Sequence, residues 1–146
     1  MGLTLKSGDI VFVDTAPFIY FFENHPDYLP LMKDFFDQVY VIEAQVVTSV
    51  LTYIELTTQP VRRGDQRLAR KYRDYLSYSE NITLLPLDMT IADEVVNLRA
   101  KYGFKIPDAI QLGTARAAGA DYVLTNDRQW RQVEDIAIVQ LHELVG

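Results

Sequence analysis

The stretch DIVFVDTAPFIYFFE, residues 9–23, decides the fold, because it changes from a strand pattern to a helix pattern at one point. Residues 9–14 are β-branched and aromatic between two acids, which predicts a short buried strand. Residues 15–23 predict a helix, with Thr15 as its N-cap and Pro17 in its first turn. A buried strand followed at once by a helix is typical of an α/β protein with a sheet between helices.

The rest of the chain repeats this alternation, so we expect one three-layer α/β/α domain over residues 1–146 with a central, mainly parallel sheet. The helix that begins at residue 50 is expected to stop before Pro60, because proline disfavours a helical conformation in the residue before it. The further strands are predicted at 43–49, 81–87, 121–125 and 136–141, and the further helices at about 28–38, 50–58, 64–79, 88–103 and 107–118, with a short helix from Asn126.

The composition excludes several kinds of site. The chain has no cysteine, which rules out disulfides, thiolate catalysis and cysteine-bound zinc. Its two histidines cannot form an HExxH metal site, and neither GxGxxG nor a P-loop pattern occurs. No apolar run approaches the roughly 20 residues that a membrane span needs. No signal-peptide pattern opens the chain, and we therefore expect a cytoplasmic protein.

The charge of the chain is unevenly distributed. The net charge is −6, which argues against a nucleic-acid partner, but residues 62–73 hold six of the fourteen Lys and Arg. At helical spacing Arg63, Arg67 and Arg70 share a face, opposite an apolar stripe. That face is either a solvated helix surface or a ridge that contacts nucleic-acid phosphates.

Four acids fall where the predicted fold can bring them together. Ligand sites in a parallel sheet form beyond the carboxyl ends of the strands, near the point where the strand order reverses. Asp14 ends the first strand, Asp127 follows the fourth, and Asp108 begins a helix. Glu55 is the only charged residue between Glu43 and Arg62. Taken singly, each acid has a structural explanation, as a helix cap, a charge at a helix dipole or the partner of an arginine.

Together, the four carboxylates indicate a cation site. Clustered carboxylates repel one another and raise each other's pKa unless a cation neutralises them. Hard oxygen ligands suit Mg²⁺ or Mn²⁺, which keep several waters for substrate phosphates. The matching chemistry is metal-assisted hydrolysis of a phosphodiester.

The chain resembles the PIN domain family, and most closely the small VapC-type toxins of toxin–antitoxin pairs. Four segments carry the resemblance, in the family's order: VFVDTAPFIYFFE, TSVLTYIEL, KIPDAIQLGTA and VLTNDRQW. The resemblance implies a Mg²⁺- or Mn²⁺-dependent endoribonuclease, commonly a homodimer, held silent by an antitoxin whose tail covers the active site. It assigns catalytic and metal-binding roles to Asp14, Glu55, Asp108 and Asp127, with Thr15, Thr125 and Asn126 as supporting residues.

Within this resemblance, Asp14 and Asp108 are the expected principal metal ligands, and Glu55 and Asp127 hold waters or complete a second site. Arg63, Arg67 and Arg70 are candidate contacts to RNA. The chain departs from the family in being acidic for an RNA enzyme, and Asp127 stands at the family's most variable acid position.

Three other functions fit the same sequence. The first is a PIN nuclease of RNA processing outside any toxin system. The second is a receiver-like phosphotransfer domain, although no lysine follows a strand in a suitable position. The third is an inactive PIN scaffold that binds protein partners. Affinity for Mn²⁺ separates the nucleases from the scaffold.

Overall fold

The central sheet confirms the predicted α/β class. The computed structural model describes residues 3–145. Within them, five strands form one sheet in the order β3-β2-β1-β4-β5, and every neighbouring pair is parallel. The strands are β1 (Ile10–Val13), β2 (Gln45–Ser49), β3 (Ile82–Leu85), β4 (Tyr122–Thr125) and β5 (Ala137–Gln140).

Helices cover both faces of this sheet and produce three layers. Side chains alternate along each strand, so that Val11 and Val13 pack in one core and Phe12 in the other. The first core lies under the helices that follow β1 and β2, and the second under the pair that precedes β4. The helices are α1 (Thr15–Phe22), α2 (Leu29–Ile42), α3 (Val50–Arg62), α4 (Gln66–Tyr78), α5 (Met89–Tyr102), α6 (Ile106–Ala117), a 3₁₀ helix (Arg128–Gln132) and α7 (Leu141–Leu144).

The prediction that the helix after β2 stops before Pro60 is wrong. Helix α3 continues through Pro60 to Arg62. A proline in a helix interior loses one backbone hydrogen bond and costs about 3 kcal/mol. Here Pro60 stands in the last turn and its ring is buried against the core, and this packing offsets the lost bond.

Other helix boundaries also differ from their predicted positions. Helix α2 runs four residues beyond residue 38, because Val39 is buried and extends the apolar face. Glu43, with φ 60°, then ends the helix. The N-cap of α1 is Asp14 and not Thr15, since the Asp14 side chain accepts the Thr15 N–H. Helix α7 was not anticipated, because four residues give no period to read.

The strand order places one crevice of the sheet at β1 and β4. From β1 the chain continues outward to β2 and β3, and it then crosses back to form β4 on the other side of β1. This is the point of order reversal beside which ligand sites form in such sheets. Among the described residues, no helix is both long enough and apolar enough to cross a membrane.

Candidate active site

A cavity of about 500 Å³ opens beyond the carboxyl ends of β1 and β4. All four predicted acids line it, together with the predicted supporting residues Thr15 and Asn126. Thr125 is fully buried next to the cavity, where it contacts Asp14. The wall is completed by six residues that the sequence did not single out: Ala16, Ile19, Tyr20, Pro107, Gln111 and Trp130.

Asp14 is the most tightly held of the four acids. Its Oδ1 accepts the Thr15 N–H at 2.8 Å and the Gln111 amide at 3.2 Å, and its Oδ2 accepts the Thr125 hydroxyl at 2.7 Å. Burial, with a smaller contribution from the nearby Glu55 carboxylate, nevertheless outweighs the lowering by these three donors and raises the pKa of Asp14 to about 6. The structure therefore holds the carboxylate in one orientation while making its negative charge unfavourable.

Glu55 reaches the cavity from the second turn of α3. Its Oε1 accepts the Thr15 hydroxyl at 2.6 Å, which places it beside Asp14 although 41 positions separate them in the chain. The residue is exposed, as expected for a group that meets solvent at the mouth of a cavity. Its position in the fold thus accounts for the only acid of helix α3.

Asp108 and Asp127 form the second pair of acids. Burial raises the pKa of Asp108, and the Asp127 carboxylate adds to the increase. The indole N–H of Trp130 lies close enough to Asp108 to lower that pKa, although it makes no hydrogen bond of ordinary geometry within the described residues. Asp127 also caps the 3₁₀ helix, since its Oδ1 accepts the Gln129 N–H at 2.9 Å. Each acid of this pair therefore combines a helix-start role with a place in the cavity.

Asn126 is oriented by the end of the chain. Its Oδ1 accepts the backbone N–H of His142 at 2.9 Å and lies 2.9 Å from the His142 ring Nδ1. Its Nδ2 donates to the Tyr20 hydroxyl at 3.4 Å. Helix α7 therefore fixes which end of this amide faces the cavity, a role for His142 that no local sequence pattern indicates.

Gln111 is the main polar residue that the sequence analysis missed. Its side chain is 2% exposed and contacts Ser49, Thr52, Thr15 and Asp14. The available indication was a polar residue within the apolar run AIQLGTA, three positions after Asp108 and hence on the same helix face. Its partners on β2 and α3 could not be identified without the fold.

The predicted RNA-contacting arginines do not line this cavity. Arg63 lies in the turn after α3, 4.0 Å from the Asp65 carboxylate. Arg67 and Arg70 lie on the exposed face of α4 and line a separate cleft with Asp65 and Asp74. The structure thus separates the basic surface from the acidic site.

Little positive charge acts on the cavity from the described residues, although Lys105 lowers the pKa of Asp108 against the larger effect of burial. Of the described residues that line it, none is lysine or arginine, whereas four are acids. In the arrangement seen, no three His, Asp or Glu side chains within residues 3–145 are close enough to hold a metal ion together. The acids instead surround the cavity as two pairs.

The chain matches one protein-family model and is similar in structure to several solved proteins. A family model for the PIN domain matches residues 11–136. VapBC2 from Rickettsia felis, solved with a DNA fragment from its promoter, superposes with a TM-score of 0.74 at 14% identity, covering 90% of this chain and 98% of that one. DNA-bound VapBC from Salmonella typhimurium gives 0.73 at 20% identity, covering 94% and 99%.

A third similar structure is VapC20 from Mycobacterium tuberculosis, described as a toxin that cleaves the sarcin-ricin loop. It gives a TM-score of 0.60 at 16% identity and covers 77% of this chain and 86% of that one. No curated protein matches the chain by sequence. At these identities the structural likeness establishes the fold and not the activity.

Proposed function

Because this chain belongs to the PIN domain family, we propose that it is a Mg²⁺- or Mn²⁺-dependent endoribonuclease and the toxin of a VapBC-type pair. The observation that carries the proposal is the cavity at the β1–β4 crevice, lined by four acids and by no lysine or arginine among the described residues. Like charges that gather in a cavity with no basic side chain lining it destabilise a fold. Such an arrangement is favourable only if a cation occupies the cavity.

The four acids are chemically suitable ligands for a hard divalent cation. All four are carboxylates, which are the ligands that Mg²⁺ and Mn²⁺ prefer. Mg²⁺ is commonly bound through one or two carboxylates and several waters, so a preassembled group of three acids is not required. Asp14 and Asp108 would hold the ion, with Glu55 and Asp127 binding its waters. Bound there, the ion would lower the pKa of a water and neutralise charge on the leaving oxygen.

The chain's own residues prepare this chemistry. Three donors hold both oxygens of Asp14, which removes the freedom to rotate away from the cavity. Glu55 is exposed at the cavity mouth and accepts one hydroxyl through Oε1. We assign it the role of general base, which accepts the proton of the attacking water. Asn126, oriented by His142, presents an amide N–H₂ that can orient a phosphate or a water.

The toxin assignment rests on the similar structures. Two of them are VapBC complexes, and a third is a toxin of the VapC type. We propose that this chain also forms a homodimer and binds an antitoxin, whose tail would supply the positive charge that the cavity lacks. An arginine in the cavity would pair with the acids and displace the cation. Sedimentation of the purified chain, alone and with the product of any adjacent small open reading frame, tests both associations.

The first experiment is cleavage of a labelled cellular RNA pool by the partner-free protein in Mn²⁺, in Mg²⁺ and in EDTA. We expect discrete products with either metal and none in EDTA. Asp108→Asn should abolish cleavage, whereas the matched variant Asp34→Asn, on the exposed face of α2, should cut as the wild type does. Expression in growing cells should arrest growth for the wild type and for Asp34→Asn but not for Asp108→Asn.

Two of the alternative functions, the RNA-processing nuclease and the protein-binding scaffold, give different results. RNA cleavage without growth arrest would favour a PIN nuclease of RNA processing. A folded wild type that neither cuts RNA nor binds Mn²⁺ by calorimetry would refute the nuclease and favour the protein-binding scaffold.

A further inference from the structure

The Gln111 side chain lies directly behind the acids, on the same helix as one of them. Gln111 and Asp108 are three positions apart in α6, which places them on one face of that helix. Asp108 faces the cavity, and the Gln111 side chain is 2% exposed one turn deeper. A buried amide is costly unless its donors and acceptor are all used.

The hydrogen-bond partners of Gln111 fix the orientation of its amide. An ionised carboxylate can only accept, so the group that faces Asp14 Oδ1 at 3.2 Å must be the N–H₂. On the other side, the Ser49 hydroxyl donates to Gln111 Oε1. Exchanging the two ends of the amide would place oxygen against oxygen at Asp14, and the observed orientation is therefore the only one that satisfies both neighbours.

The same amide also connects to the helix that carries Glu55. Its Nε2 donates to Thr52 Oγ1, one turn before Glu55 on α3, at 2.8 Å. It lies 3.4 Å from Thr15 Oγ1, whose hydroxyl donates to Glu55 Oε1. One buried side chain of α6 thus contacts the end of β1, the start of α1 and the first turns of α3.

We propose that Gln111 is a positioning residue that sets the separation of Asp14, Glu55 and Asp108 for a divalent cation. This role rests on the proposed function, since it concerns the same site. Without a cation the three carboxylates repel one another, and the elements that carry them would move apart. The Gln111 amide opposes that movement, because it belongs to α6 and hydrogen-bonds from the buried side of the cavity to Asp14 and to Thr52 of α3. Residues that orient metal ligands typically change metal affinity or activity by about 10- to 100-fold when replaced.

The test replaces the amide by an apolar side chain of similar length. In Gln111→Met we expect the dissociation constant for Mn²⁺, measured by calorimetry, to rise by about 10-fold or more. The kcat for RNA should fall by a similar factor, while KM stays within about 2-fold, because the buried amide does not touch RNA. The matched control is Gln38→Met, since both ends of the Gln38 amide are also hydrogen-bonded, to the backbone of Leu3 and Leu5, and Gln38 does not line the cavity.

A second variant keeps the proposal testable if Gln111→Met does not fold. Thr52→Val is isosteric and removes only the hydroxyl to which the amide donates. It should weaken Mn²⁺ binding in the same direction, but less.

A folded Gln111→Met or Thr52→Val protein with wild-type Mn²⁺ affinity and kcat would overturn the positioning role and leave the nuclease intact. A wild type that neither binds Mn²⁺ nor cuts RNA would instead overturn the proposed function, and this role with it.

Discussion

At the scale of single residues, Asp14 serves two purposes that oppose each other energetically. It caps α1 through the Thr15 N–H, which stabilises the fold. It is also buried beside Glu55, which raises its pKa from 3.8 to about 6 and makes its ionised form unfavourable. Its cap role alone would be met equally well by an asparagine. The proposed cation would account for a carboxylate at this position.

The raised pKa of Asp14 predicts how stability depends on pH in the absence of metal. The folded protein binds this proton more tightly than the unfolded chain does. The contribution of Asp14 to the free energy of unfolding should therefore fall by about 3 kcal/mol as the pH rises from about 4 to about 7. Asp14→Asn lacks this group, so it should be more stable than the wild type at pH 7 and closer to it at pH 4. Urea unfolding in EDTA across this range measures the difference.

Since other acids titrate in both proteins, the informative quantity is the difference between variant and wild type at each pH. If the difference in free energy of unfolding between Asp14→Asn and the wild type is the same at pH 4 and pH 7, the buried charge of Asp14 does not destabilise the fold and the prediction is wrong.

At the scale of elements, the position of α6 depends on close contact with α5. Gly113 lies on α6 at this contact, where an added Cβ would lie 2.9 Å from Val95 Cγ2 and 3.2 Å from the Val95 backbone nitrogen. The backbone nitrogen cannot move aside without shifting α5. Since α6 carries Asp108 and Gln111, this glycine helps to set the depth of the site.

Gly113→Ala should destabilise the protein by about 1–2 kcal/mol. Replacing glycine by alanine stabilises a helix by about 1 kcal/mol. Overpacking of a core contact costs about 1–3 kcal/mol, and here one of the clashing atoms belongs to the backbone. Chemical denaturation of Gly113→Ala, of Val95→Ala and of the double variant measures the loss of stability. The double variant should lose less than the two single losses combined, because removing Cγ2 relieves one of the clashes. A Gly113→Ala protein that is as stable as the wild type would show that the helices separate easily.

At the scale of the whole molecule, the charges are divided between an acidic cavity and a basic surface. We propose that Arg63, Arg67 and Arg70, which lie outside the cavity, bind RNA phosphates away from the scissile bond. This division would allow a chain of net charge −6 to bind RNA at all.

Replacing the three arginines by glutamine should weaken RNA binding without changing the chemistry. The slope of log affinity against log salt should fall by about 0.7 for each lost phosphate contact, while kcat at saturating RNA is retained. Salt titrations of binding by the inactive Asp108→Asn protein measure the slope, with Lys33→Gln on α2 as the single-charge control. An unchanged slope would assign the basic face to solvent, and a lost kcat would place it in the active site.

The sequence by itself determined the fold class, the approximate strand positions and which four acids would line the cavity. Alternation of buried strands and helices is a local property, and carboxylates after strands such as Asp14 and Asp127 are visible in the chain as written. Parallel strands then force their carboxyl ends to one edge, so the meeting of these acids follows from topology. Helix ends were less predictable, as Pro60 shows, because burial offset a local preference.

Only the tertiary structure decided what holds the acids in place. Gln111, Ser49 and Thr52 lie on three separate elements, and their contacts span up to 62 positions in the chain. His142 reaches Asn126 from the last helix. Polar residues of this kind look like ordinary interior or surface positions in sequence. Their role comes from partners that folding brings together, and hydrogen-bond geometry exists only once those partners are fixed.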